Sequence, residues 1–134
     1  NKTITVINDA YNSSPDSLEA SLSNLYKNNS KKYVLIIGDM LELGPNSYLY
    51  HKKIVPFVKK LNPKTLFTIG NKSKILSDNL KNNFVCRHFK NIKLLEANFD
   101  KLVHNNDTVF VKGSNGTGLY KFCKNLEKKY KLGE

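Results

Sequence analysis

The stretch "YVLIIGDM", residues 33–40, constrains the fold more than any other part of this chain. A strand with one face in water alternates apolar and polar residues. An unbroken apolar run belongs to a strand that is buried on both faces. Such a strand needs helices above and below it. The rest of the chain supplies them in alternation with further strand-like runs.

"TITVIN" reads as a first strand, and "SLEASLSNLY" places Leu18, Leu22 and Leu25 on one helical face. After the central run, a helix is expected over roughly 47–61, with Ile54, Val55, Val58 and Leu61 as its apolar stripe. Pro56 lies inside that stripe and should kink the helix or delay its start. "TLFTIG", "FVCRHF" and "DTVFVKG" read as strands, "KSKILSDNLKN" and "LLEANFDKLV" as helices, and "GLYKFCKNLEKKYK" as a closing helix. This βαβ rhythm implies an α/β domain with a mostly parallel sheet of about six strands and helices on both faces. Its 134 residues show no repeat, linker or internal boundary, so a single domain over 1–134 is expected. The start, two residues ahead of a strand pattern, gives the expectation of a domain cut from a longer protein.

The formal net charge is +11, which raises the question of a polyanion partner. The details argue for solvated charge. The positive residues are nearly all Lys, spread along the chain among many Asn, and Arg87 is the only Arg. Arg is the usual residue for bidentate recognition of phosphate and guanine. No nucleic-acid partner is expected. No apolar run approaches the roughly 20 residues that cross a bilayer, so no membrane partner is expected either. Cys86 and Cys123 lie far apart without metal-ligand spacing, and read as buried free thiols in a reducing cytoplasm.

In parallel α/β sheets, ligands bind outside the carboxyl ends of the strands. Three junctions meet that condition. In "DAYNSSPDS", Ser14 and Pro15 read as a helix cap and a first-turn proline, with Asp16 favouring the positive end of the helix. Capping leaves Asp9, Tyr11 and Asn12 unexplained. A carboxylate there can accept from ribose hydroxyls, a tyrosine ring can stack on a base, and an amide can donate and accept. In "GDMLELGPNSYLYH", Gly38 allows a sharp exit from the strand and Gly44-Pro45 marks a turn. Asp39, Glu42 and His51 bring three titratable groups to one rim, as site residues or as ordinary surface charge. "KGSNGTG" is not a phosphate loop, because Lys112 precedes the glycines instead of following them. Lys112, Ser114 and Asn115 still suit an anionic ligand beside a flexible backbone. A plain glycine-rich turn is the other reading.

Taken in order, "DAYNSSPDSLEASL", then "GDMLELG" with a His seven residues after its last Gly, then "VFVKGSNGTGL" resembles the third domain of the Mur ligases. The family's motifs run close to D-x-Y-N-A-N-P-D-S, G-D-M-x-E-L-G and K-G-S-R-G-M, and the first two together mark its D-alanyl-D-alanine-adding branch. The resemblance covers essentially the whole chain. It implies a Rossmann-like third domain that closes over a central domain carrying the ATP loop and the Mg2+ ligands. It implies a cytoplasmic ligase that uses ATP to activate the carboxylate of UDP-N-acetylmuramoyl-tripeptide as an acyl phosphate, which the amine of D-alanyl-D-alanine attacks. Such an enzyme serves peptidoglycan precursor synthesis. The chain's partners would be those two substrates and its own N-terminal and central domains. The isolated domain would be an inactive monomer with no metal site and no covalent nucleophile.

By the same resemblance, Asp9 contacts the ATP ribose while Tyr11 and Asn12 line the adenine side. Lys112, Ser114 and Asn115 fall on the dipeptide side, with Lys112 as a partner for the dipeptide carboxylate. Asp39, Glu42 and His51 shape the same cleft. Two positions depart from the family. Asn115 stands where it has Arg, which removes a planar bidentate contact. Ser14 stands where it has Asn and still caps a helix. The rival readings are a stand-alone nucleotide-binding module and a basic nucleic-acid-binding protein.

Overall fold

A computed structural model of the chain describes residues 2–28 and 31–132. The central apolar run forms β2 (Tyr33–Gly38), and all six of its residues are buried. It lies among β1 (Thr3–Asp9), β3 (Thr65–Ile69), β4 (Val85–Phe89) and β5 (Thr108–Lys112). A two-residue strand, β6 (Lys131–Leu132), completes the edge. The sheet order is β4-β3-β2-β5-β1-β6 and every neighbouring pair is parallel. β5 therefore inserts between β1 and β2, which are consecutive in sequence. That insertion sets Asp9 opposite Lys112 in the ladder.

Alternate residues of each strand feed two cores. Val34, Ile36, Phe67, Val109 and Val111 pack beneath α5 (Ile92–Leu102) and α6 (Leu119–Lys129), with Phe99 and Phe122 meeting edge to face at 5.4 Å. Tyr33, Leu35, Ile37, Leu66 and Phe110 pack on the other side. There they meet α1 (Pro15–Lys27), α3 (Val55–Leu61) and α4 (Lys74–Leu80) through Leu18, Leu22, Val58, Leu76 and Leu80. The three-layer α/β expectation holds. None of the helices is long and apolar enough to cross a membrane among the described residues.

Three details differ from the sequence reading. The helix expected over 47–61 is two, α2 (Ser47–Lys52) and α3, because Pro56 lacks an N–H and takes a first-turn position in α3. The closing helix stops at Lys129, and Lys131 and Leu132 pair with the outer edge of β1, covering backbone groups that would otherwise face solvent. Cys123 is fully buried, but Cys86 is only half-buried. Burial pushes their thiols up to about 12 and about 11 respectively, with the Glu127 charge adding at Cys123.

Candidate functional site

The three junctions meet at the carboxyl edge of the sheet, and Ser114 ties them together. Its backbone N–H donates to Asp39 O at 3.2 Å. Its hydroxyl accepts from the Leu41 N–H at 2.8 Å and donates to Ser13 O at 3.4 Å. The backbones of the second and third junctions can approach this closely because of two glycines. A Cβ on Gly38 would lie 2.5 Å from Leu119 Cδ1, and one on Gly113 would lie 2.7 Å from the same atom. Gly38 thus makes room for Leu119, and is not a positive-φ exit from the strand.

The edge holds a cleft of about 540 Å³ lined by Asn12, Ser13, Ser14, Ser17, Leu41, Glu42, Ser114, Asn115 and Gly116. Four of the expected site residues line it: Asn12, Glu42, Ser114 and Asn115. Glu42 is exposed, with φ 61°, and supplies the only charge in the lining among the described residues. Ser14 caps α1 in a reciprocal box with Ser17. Ser13 Oγ is buried and finds no partner among the described residues.

Asp9 and Lys112 form a separate arrangement beside the cleft. Lys112 is only 2% exposed, and its ammonium donates to Asp9 Oδ2 at 2.9 Å and to Asn12 O at 3.0 Å. The Ser21 hydroxyl of α1 donates to the same Asp9 oxygen at 2.9 Å. Oδ1 has no donor among the described residues, and the Asp9 side chain is 45% exposed. Nearby, Tyr11 is 59% exposed and meets Tyr120 edge to face at 5.7 Å.

Asp39 and His51 stand behind the rim. The Asp39 carboxylate accepts from the backbone N–H groups of Lys72 and Ser73, the latter at 2.7 Å, and so holds the turn before α4. Gly70, at φ 104°, lets that carboxylate come close: a Cβ there would sit 2.7 Å from its oxygens. His51 is 1% exposed. Its Nδ1 faces Ser47 O at 2.7 Å and its Nε2 accepts from the Met40 N–H at 2.9 Å, which makes it a neutral ring protonated on Nδ1. Burial holds the His51 pKa below its ordinary value, against the Ser47 hydrogen bond and the Asp39 charge. Both residues are satisfied internally and shape the second junction from within. Among the described residues, no group of three or more His, Cys, Asp or Glu could hold a metal ion.

Sequence reasoning missed Ser21 and Tyr120. Each reads as an ordinary helix residue, and only the packing of α1 and α6 against the ends of β1 and β5 brings them to Asp9 and Tyr11.

Residues 1–115 match the family described as "Mur ligase, glutamate ligase domain". The UDP-N-acetylmuramoyl-tripeptide–D-alanyl-D-alanine ligase of Rickettsia prowazekii is 34% identical over 116 residues, covering 87% of this chain and 26% of that protein. The enzyme of the same name from Buchnera aphidicola subsp. Baizongia pistaciae is 36% identical over 132 residues, covering 97% of this chain and 28% of that protein. This chain therefore spans little more than a quarter of those relatives' lengths. The structure of MurF ligase from Thermotoga maritima in complex with ADP superposes with a TM-score of 0.70 at 19% identity, over 96% of this chain and 30% of that one. MurF from Acinetobacter baumannii gives 0.74 at 17% identity, over 96% and 29%. At such identities the superpositions speak for the fold. With the family match covering most of the chain and three junction motifs brought to one edge, this chain belongs to the Mur ligase C-terminal domain family.

Proposed function

We propose that this chain is the closing domain of an ATP-dependent ligase that joins D-alanyl-D-alanine to UDP-N-acetylmuramoyl-tripeptide. The observation that carries the reading is the stitching of all three junctions by Ser114 around one polar cleft, with an exposed carboxylate and an exposed aromatic ring beside it. The names of the relatives from Rickettsia and Buchnera support the substrate pair. The domain's N-terminal and central partners lie in the larger protein, and the reaction belongs to the cytoplasm. The isolated domain is an inactive monomer.

The residues present fit ATP. Asp9 Oδ1 is free to accept from a ribose hydroxyl, and the open ring of Tyr11 suits a base, with Asn12 beside it. When bound, ATP supplies the phosphoryl group that activates the tripeptide carboxylate. Mg2+ belongs with the central domain, and no role of these side chains is derived through it. Glu42 suits the ammonium of the incoming dipeptide, while Ser114 and Asn115 offer hydroxyl and amide contacts to its peptide. Asp39 and His51 keep the Gly38–Leu41 turn in place. Closure of this edge over the central domain would exclude water from an activated carboxylate that water would otherwise hydrolyse.

The test follows phosphate release by the full-length protein with MgATP, UDP-N-acetylmuramoyl-tripeptide and D-alanyl-D-alanine, omitting each in turn. Release that requires all three is expected. A folded protein that binds ATP but releases no phosphate with any acceptor would overturn the reading.

A further inference from the structure

We propose that Lys112 is a positioning residue for Asp9 and the 9–12 segment, and makes no contact with the dipeptide carboxylate. This rests on the nucleotide-facing reading of Asp9 given above. The sequence alone suggests the opposite, a cation in a glycine-rich loop awaiting an anion. The structure puts that cation elsewhere. Lys112 is the last residue of β5 and shares a strand face with Phe110, which faces the core under α1. Its side chain is 3% exposed, in contrast to the exposed lysines of the helices. Two of its three protons are committed, one to Asp9 Oδ2 and one to Asn12 O. For the ammonium to reach a ligand in the cleft it would have to leave Asp9, the one carboxylate that pairs with it among the described residues, from a position closed to water.

The two bonds act on one short segment. Asp9 ends β1 and Asn12 follows the bend at Tyr11, and Lys112 bonds both residues from the neighbouring strand. That sets the path of the backbone carrying Tyr11. Together with Ser21, it also occupies one oxygen of Asp9 and so turns the other outward. A freely rotating carboxylate would offer either oxygen in many directions. The clamped one offers Oδ1 in one direction, with no ordering left to be done when a hydroxyl arrives.

The test compares Asp9→Asn, Lys112→Met and the double variant in the full-length protein. It reads KM for ATP, KM for D-alanyl-D-alanine and ADP affinity by calorimetry, with thermal unfolding as the check on folding. Losing one charge-assisted hydrogen bond should raise KM for ATP and weaken ADP binding about tenfold in each single variant. KM for the dipeptide should stay unchanged. The double variant should be no worse than the weaker single variant, because Lys112 acts through Asp9. A rise in the dipeptide KM alone in Lys112→Met, or effects that multiply in the double variant, would overturn the proposal. If Asp9→Asn leaves both ATP and ADP untouched, the nucleotide reading of Asp9 falls and takes the proposal with it. If Asp9→Asn weakens them and Lys112→Met does not, only the positioning role falls. Should Lys112→Met fail to fold, Ser21→Ala removes the other donor to the same oxygen. It should weaken ADP binding severalfold at an unchanged melting temperature, and unchanged ADP binding would count against the clamp.

Discussion

A lysine–aspartate pair stands at each end of β5, and the two are built in opposite senses. At the amino end, Asp107 is 8% exposed and Lys64 is 40% exposed. Both oxygens of Asp107 are used, one by the Lys64 ammonium at 2.7 Å and the other by the His104 N–H at 2.8 Å. At the carboxyl end the burial is reversed: Lys112 is 3% exposed and Asp9 is 45% exposed. There one acid oxygen is clamped and the other faces outward. The buried acid closes a turn, while the buried lysine presents an acid. The clefts at the two ends are of similar size, about 490 Å³ and about 540 Å³, so volume does not separate them. What separates them is which partner of each pair is left able to meet a ligand.

The largest effect expected from breaking this arrangement is on stability at the carboxyl end. Leu119 is fully buried against Gly38 and Gly113, so Leu119→Ala should cost about 3 kcal/mol through the cavity it leaves. The midpoint of urea unfolding reads it. The next test contrasts the two pairs directly. Asp107→Ala removes the acceptor of both the Lys64 ammonium and the part-buried His104 N–H and should cost about 2 kcal/mol while leaving ADP affinity of the full-length protein unchanged. Asp9→Asn keeps an acceptor for Lys112 but takes away the buried ammonium's counter-charge, so it should also cost about 2 kcal/mol, and unlike Asp107→Ala it should weaken nucleotide affinity. The reverse pattern would erase the distinction between the two ends.

A smaller effect is a pH dependence. Burial lowers the pKa of His51 in the folded state, and burial with the Lys74 charge lowers that of His88, whose Nδ1 lies 2.8 Å from Thr68 Oγ1. The unfolded chain therefore takes up these protons first. Stability is complete above the ordinary histidine value of 6.5 and is lost as pH falls through it toward the folded values. Each histidine contributes at most about 1.4 kcal/mol per pH unit over that window. Melting temperatures from pH 7.5 to 5.0 should fall, and His51→Gln should reduce the slope without abolishing it. The smallest effect serves as calibration. Lys74 and Asp78 pair at 3.3 Å on the open surface of α4, and Asp78→Ala should shift stability by less than about 0.5 kcal/mol.

Much of the fold was legible in the chain because strand and helix periods are local. Val34 and Ile36 go to one core while Leu35 and Ile37 go to the other, as the parity of an unbroken apolar strand requires. Pro56 marked where a long helix would break. The candidate site was legible as three loops, but the duties of individual residues were not. Asp39, His51 and Lys112 look like site groups in sequence because each is polar and belongs to a motif that follows or closes a strand. In the structure all three hydrogen-bond to the protein itself, whereas Tyr11, Glu42 and Asn115 remain open.

By itself, then, the sequence determined an α/β layering, a carboxyl edge where three motif-bearing loops gather, and membership of a family. Periodicity and ordered motifs carry that information along the chain. Only the tertiary structure decided which polar groups turn inward. That choice depends on β5 inserting between β1 and β2, which sets residue 112 opposite residue 9 across more than a hundred residues of chain. A buried ammonium must take the nearest carboxylate, because leaving either charge unpaired away from water costs more than any contact it could make outside.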